Sequence, residues 1–168
     1  MVDPHETTIR AVSPADARKL GCFFERNSGP ATTRYFEPFP LTRDTADRIA
    51  LLPRRDLYYV AVSKERIVGM SMLRGWDEGY NVPSFGIMID SECRGKGLGR
   101  LLTSWTIQAA QDLDCAQVRL SVYASNITGL RLYESLGFEK QSESTKVEHG
   151  QPVVKIVMLK NLAPKVTQ

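Results

Sequence analysis

The chain has 168 residues, 42% of them apolar and 24% charged, with a formal charge of +3, a balance ordinary for one soluble globular unit with an adequate core. Its 22 basic residues are scattered with no block of five or more, so no nucleic-acid partner is expected. Cys22, Cys93 and Cys115 form no CxxC pair and His5 and His149 are the sole histidines, so neither a disulfide framework nor a metal is expected.

The polar, acidic segment 1–8 lacks the basic-then-apolar plan of a signal peptide, and no apolar run reaches membrane length. A cytoplasmic chain with no membrane partner is the expectation. Residues 8–12 read as a strand, and Ser13-Pro14 then starts a helix over 15–26, with Ser as N-cap and Pro at the first helical position. Residues 27–41 carry turn markers and Tyr35, Phe36 and Phe39, which predicts a loop with room for one helical turn. Thr42 and Thr45 both offer a cap for a second helix that Pro53 ends. Strands over 57–63 and 67–75 are joined by a hairpin at 64–66.

After a turn at 76–83 comes a fourth strand, 84–89. A helix then begins near Leu98, with Leu101, Leu102, Trp105, Ala109 and Leu113 completing the apolar stripe of a helix lying on a sheet. A strand over 117–123, a helix over 127–136 closed by Gly137, and strands over 139–147 and 153–160 around a turn at 149–152 complete the order βααβββαβαββ. This is an α/β chain with a mixed, largely antiparallel seven-stranded sheet and about four helices, a single domain with its core at 8–160 and a loose tail at 161–168.

Between the fourth strand and the helix after it lies Arg94-Gly95-Lys96-Gly97-Leu98-Gly99-Arg100. Glycines admit φ > 0 and close approach of a ligand, and the first amides of the following helix have no intrahelical acceptor, so the turn suits a phosphate. Arg94, Lys96 and Arg100 add charge. Walker spacing is absent. The dinucleotide fingerprint fails as well, because its last glycine would fall on Arg100 or Leu102. What remains is Arg-x-x-Gly-x-Gly, filled by Arg94, Gly97 and Gly99.

Downstream, Leu120 and Val122 in a strand are followed in order by Asn126, Tyr133, Gly137 and Phe138. These two blocks together resemble the GNAT superfamily of acyl-CoA-dependent N-acyltransferases, over about 8–160. The resemblance implies the same element order and acetyl-CoA as acyl donor, with its pyrophosphate on Arg94, Gly95, Lys96, Gly97, Leu98, Gly99 and Arg100. It further implies that the fourth and fifth strands splay apart at a bulge, that the pantetheine arm pairs with the open strand edge, and that backbone N–H groups near Met88 and Ile89 polarise the thioester carbonyl.

An acceptor amine attacking that thioester directly imposes two further tasks: the departing thiolate needs a proton, and the amine must be neutral. Tyr133 fits the first, since a phenol stays protonated at neutral pH, although an amphipathic helix can equally use Tyr as core. Asn126 suits both a helix cap and a cofactor contact. For the second task, the fourth strand carries no carboxylate where relatives commonly place one. Asp77 and Glu78 precede it, either lining the acceptor mouth with Trp76 and Tyr80 or standing on a solvated tip; Glu78 as general base rests on nearness in sequence alone. Asp90 and Glu92 are expected beside the glycine turn, balancing its charge. Cys93 could carry an acyl group as a thiolate, but buried filler suits a thiol with no histidine near it in sequence.

Tyr35, Phe36, Trp76, Asp77 and Tyr80 make the expected acceptor wall. Aromatic groups with one or two acids suit a cationic amine, such as an amino sugar, a polyamine-like metabolite or a peptide N-terminus. The missing carboxylate motivates one alternative, a non-catalytic acyl-CoA sensor on the same scaffold. Monomer and homodimer both stay open.

Overall fold

The computed structural model describes residues 6–36 and 38–164. The expected tail therefore lies partly outside the described residues. Chain order is β1 (Thr8–Ala11), a 3₁₀ turn at Pro14–Asp16, α1 (Ala17–Arg26), α2 (Pro30–Thr33), α3 (Arg43–Leu51), β2 (Leu57–Ser63), β3 (Arg66–Arg74), β4 (Ser84–Ile89), a 3₁₀ turn at Ser91–Cys93, α4 (Leu98–Asp112), β5 (Gln117–Tyr123), α5 (Ile127–Ser135), β6 (Glu139–Glu148) and β7 (Gln151–Asn161).

Local chemistry accounts for most boundaries. Ser13 and Pro14 do start a helical segment, but its first turn is 3₁₀, where the Asp16 carboxylate accepts from the Ser13 N–H at 2.8 Å and from the Arg10 guanidinium at 2.7 and 2.8 Å. Thr42, not Thr45, caps α3, its hydroxyl accepting from the Thr45 N–H at 3.2 Å. A fifth helix, α2, is the single helical turn for which the expected loop had room; Pro30 occupies its first position and fixes φ for a helical turn. Both hairpin turns are tighter than the sequence suggests. Lys64-Glu65 and His149-Gly150 each adopt positive φ at both places, the geometry that matches strand twist, so β7 starts at Gln151. Pro152 is tolerated there because it pairs with Val147 of β6, beyond the point where β5 ends opposite Lys155.

The seven strands form one mixed sheet in the order β1-β2-β3-β4-β5-β7-β6, parallel only between β4 and β5. On one face Leu20, Phe23, Phe24, Ala46 and Ile49, from α1 and α3, pack on Val60, Met70, Met72 and Met88. On the other, Ala110 and Tyr133, from α4 and α5, pack on Leu73, Phe85, Val118, Leu120, Val122 and Met158. Asp90, 1% exposed, ties the two halves together: it accepts from Arg26 at 3.0 and 3.1 Å and from Arg66 at 3.1 Å. Asp90 and Glu92 therefore neutralise Arg26 and Arg66, with Glu92 accepting from Arg66 at 2.9 Å, rather than the cations of the glycine turn.

β4 and β5 hold a single register pair, Ser84↔Arg119, with the Arg119 N–H donating to the Pro83 carbonyl at 3.0 Å. Beyond it the strands diverge. No bulge accompanies the divergence, since β3 and β4 stay in register from Arg74↔Ser84 to Gly69↔Ile89. Pairing ends after this one residue and leaves one side of β4 beyond Ser84 without a strand.

Candidate active site

The split opens a cleft of about 870 Å³, within the size of small-molecule sites. Its floor is β4 and β5, its far wall α5, and its rim the segment around α2. In an antiparallel ladder, N–H and C=O groups point alternately to the two sides. The Asp90 N–H donates to Val68 of β3, so by alternation the amides of Met88 and Gly86 also face β3, that of Phe85 faces Arg119 of β5 at the one paired position, and those of Ile87 and Ile89 face the gap. Of the two expected carbonyl-polarising amides, Ile89 thus looks into the cleft and Met88 away from it. The Met88 side chain, 3% exposed, belongs to the core on the α1 face although it borders the cleft.

The glycine turn closes the open end of the split. Gly95 and Gly97 sit at φ 74° and 84°, and a Cβ on either would meet nothing within 4 Å. Their conformation, not crowding, is what requires glycine, and the space over them is free for a ligand. Gly97 is the N-cap of α4, so the first amides of a 15-residue helix emerge beside it without intrahelical acceptors. Arg94 lines the cleft, held by bonds from Nε to the Ile89 carbonyl at 3.3 Å and from the guanidinium to the Thr32 hydroxyl at 2.8 Å. Gly95 and Gly99 also line it. Lys96 folds back to the Glu92 carbonyl at 3.1 Å, and Arg100 reaches Ser135 at 2.8 Å. The Leu98 side chain is core, packed with Leu102 and Cys93. Open glycines, helix amides and a placed guanidinium fit a pyrophosphate.

Tyr133 borders the middle of the cleft. Its ring stands edge-on to Phe85 and Phe138, with centroids 6.1 and 5.9 Å away, so it is core and cleft wall at once. Burial pushes its phenol up to about 12. Asn126 lines the cleft and caps α5, its side-chain oxygen accepting from the Gly129 N–H at 3.0 Å. Cys93 is 4% exposed and burial pushes its thiol up, which disfavours the thiolate.

The expected acceptor wall divides. Tyr35 and Phe36 line the cleft; Trp76, Asp77, Glu78 and Tyr80 are not among its lining residues. Asp77 is a loop staple: its oxygens accept from the N–H groups of Arg55 at 2.7 Å and Asp56 at 3.2 Å, bonds that hold its carboxyl below the usual range. Trp76 packs in the core on the α4 face, and Tyr80 is 64% exposed. Sequence order placed these four beside the site because they precede β4, yet the turn folds back onto the segment after α3.

In their place the cleft presents residues that carried no sequence signal. Arg74 at the end of β3, Ser121 and Tyr123 of β5, and Lys155 of β7 all line it. Tyr35 packs on Tyr123 with centroids 5.9 Å apart, and the Lys155 ammonium lies 5.1 Å from the Tyr123 ring centre. The Tyr123 hydroxyl donates to the Glu148 carboxylate at 3.3 to 3.4 Å. Period-2 alternation could have put Ser121 and Tyr123 on one face, but nothing in the sequence sets Lys155 opposite Tyr123 before the β5–β7 register is known.

A model of the Acetyltransferase (GNAT) family matches residues 24–138, more than half of the chain. Human N-acetyltransferase 8 is 30% identical over 98 residues, which cover 56% of this chain and 43% of that protein. Rat N-acetylaspartate synthetase is 30% identical over 106 residues, 62% of this chain and 36% of that protein. The chain thus spans less than half the length of either relative. An acetyltransferase of the GNAT family from Streptococcus pneumoniae shares the fold, with a TM-score of 0.77 at 20% identity, covering 94% of this chain and all of that one.

Proposed function

The chain belongs to the Acetyltransferase (GNAT) family, and from that premise we propose that it transfers the acetyl group of acetyl-CoA directly to a primary amine of a small molecule or a peptide N-terminus. The observation that carries the reading is one cleft bordered by the glycine turn, the unpaired edge of β4 and the Tyr133 ring. Arg94, the glycine turn and the α4 amides hold the donor's pyrophosphate. The gap-facing amides of Ile87 and Ile89 hydrogen-bond its arm and the thioester oxygen.

The amine nitrogen attacks the thioester carbon, the C–S bond breaks, and Tyr133 donates a hydrogen bond to the sulfur that takes the electron pair. A free thiol near 8.5 is far more acidic than a phenol near 12, so proton transfer to a solvated thiolate would run uphill. Expelled against the same dry wall, however, the thiolate becomes more basic for the reason that Tyr133 does, which narrows that gap. Glu148, itself outside the cleft lining but reached through the hydroxyl of the lining Tyr123, receives the proton the amine must lose, a link that Glu78, also outside the lining, lacks among the bonds of the described residues. The acids that favour a polyamine lie outside as well.

The test is thermal stability with acetyl-CoA, CoA and NADH, followed by release of CoA thiol over an amine panel. Stabilisation by both CoA forms but not NADH, with turnover on at least one amine, is expected. The absence of a carboxylate among the described lining residues favours a second reading, a non-catalytic acyl-CoA sensor. Stabilisation without turnover on any amine supports it, and no shift with either CoA form removes both readings.

A further inference from the structure

Besides Arg94, the described residues that line the cleft include two cations, Arg74 and Lys155, and no Asp or Glu. Arg74 is the more informative of the two. Register places it opposite Ser84, at the closed end of the β4–β5 split, three residues along β4 from the gap-facing amide of Ile87, about 10 Å of strand. Its guanidinium lies 5.4 Å from the Phe39 ring centre and donates to the Pro38 carbonyl at 3.3 Å. Nε is buried without a hydrogen-bond partner. Asp56 forms an ion pair with it, one carboxylate oxygen standing 3.9 Å from Nε, beyond hydrogen-bond reach, while the other Asp56 oxygen is taken by the N–H groups of Gly75 and Asp77.

A guanidinium has five N–H donors, and leaving them desolvated without acceptors is costly. Here the fork is stacked on an aromatic ring, tethered by one bond and open to a cleft, an arrangement that fits a planar two-oxygen anion. Phe36, packed edge-on against Phe39 with centroids 5.3 Å apart, walls the same end, and Ser84 and Ser121 supply neutral hydrogen-bonding groups. We propose that the acceptor is an amino acid or a similarly small amine bearing a carboxylate, and that Arg74 recognises that carboxylate and so holds the amine toward the β4–β5 gap. The proposal rests on the acetyl-transfer reading and narrows its acceptor.

The experiment measures CoA thiol release by the full chain at saturating acetyl-CoA, over amino acids, their carboxamides, the corresponding decarboxylated amines, spermidine and glucosamine 6-phosphate. A preference of about 10- to 100-fold in kcat/KM for an amino acid over its amide is expected. In Arg74→Gln the KM for that amino acid should rise by a similar factor, with KM for acetyl-CoA unchanged and the acid-over-amide preference collapsing toward one. Arg74→Lys, which keeps the charge but loses the fork, should fall between, and thermal melts of both variants identify loss of fold. Equal turnover of acids and amides, preference for spermidine or the sugar phosphate, or a preference that survives Arg74→Gln overturns the proposal while acetyl transfer stands. Should no amine turn over, calorimetric titration of the amino acids into CoA-saturated protein decides. Binding that Arg74→Gln abolishes supports carboxylate recognition without transfer, and no binding overturns it.

Discussion

The Tyr133 ring is core between Phe85 and Phe138 and the same side chain borders the cleft, so its packing does not preclude the proposed proton-donor role. Tyr133→Phe should keep the packing and lower kcat by about 100-fold with little change in either KM, read by CoA thiol release. Because burial holds the phenol protonated up to about 12, the wild-type and variant pH–rate profiles should differ by a constant factor between pH 7 and 10. The shift is also a statement about stability. Tyr133 ionises first in the unfolded chain, so its contribution is intact below about pH 10 and is lost as pH rises toward 12, at about 1.4 kcal/mol per unit. Urea denaturation at pH 9 and 11 should show a fall that is smaller in Tyr133→Phe, which keeps the contributions of the buried Tyr58 and Tyr59 phenols, also raised by burial. Tyr133 was legible in the sequence because a motif fixes its place. Arg74, Tyr123 and Lys155 were not, since single polar residues on three strands carry no pattern until pairing brings them together.

At the scale of elements, two junctions decide whether the site exists. The turn into α4 needs Gly97 at φ 84°, where an L side chain costs about 1–2 kcal/mol. Gly97→Ala should therefore raise KM for acetyl-CoA several-fold and leave kcat nearly intact, since the space beside it is open and only the backbone path changes. The second junction is the buried Asp90, which joins the end of α1 to β3 and to the start of that turn. Burial alone would raise its carboxyl, but hydrogen bonds from Arg26, the Glu92 N–H and Arg66 together leave it below the ordinary range. Asp90→Ala takes the carboxylate from Arg26 and leaves Arg66 with Glu92 alone, and should cost about 1–3 kcal/mol, measured by chemical denaturation. The sequence reading put Asp90 and Glu92 beside the glycine turn, which chain proximity makes natural; their partners come from residues about 24 to 64 positions earlier, which local pattern cannot reveal.

For the whole molecule, Asp16 and Asp90 share a consequence. The hydrogen bond from Arg10 leads the causes that lower Asp16, and both carboxyls lie below their ordinary values in the fold. Their stabilisation is present above about pH 4 and is lost as pH falls through the folded values, so acid should unfold the chain cooperatively below pH 4. Asp16→Asn should flatten that slope when far-UV circular dichroism is followed against pH. The order of the strands and longer helices, the helix starts at Ser13 and Asn126, and the glycine turn were determined by the sequence alone, because each rests on signals within a few residues, whereas the choice of Thr42 over Thr45 as cap was not. The tertiary structure decided the rest. It alone ended β4–β5 pairing after one residue, chose which amides face the gap, turned Trp76 to Tyr80 away and brought Arg74 and Lys155 in. The physical reason is that register and crossover are set by packing between distant segments, and a cleft belongs to the spaces that packing leaves.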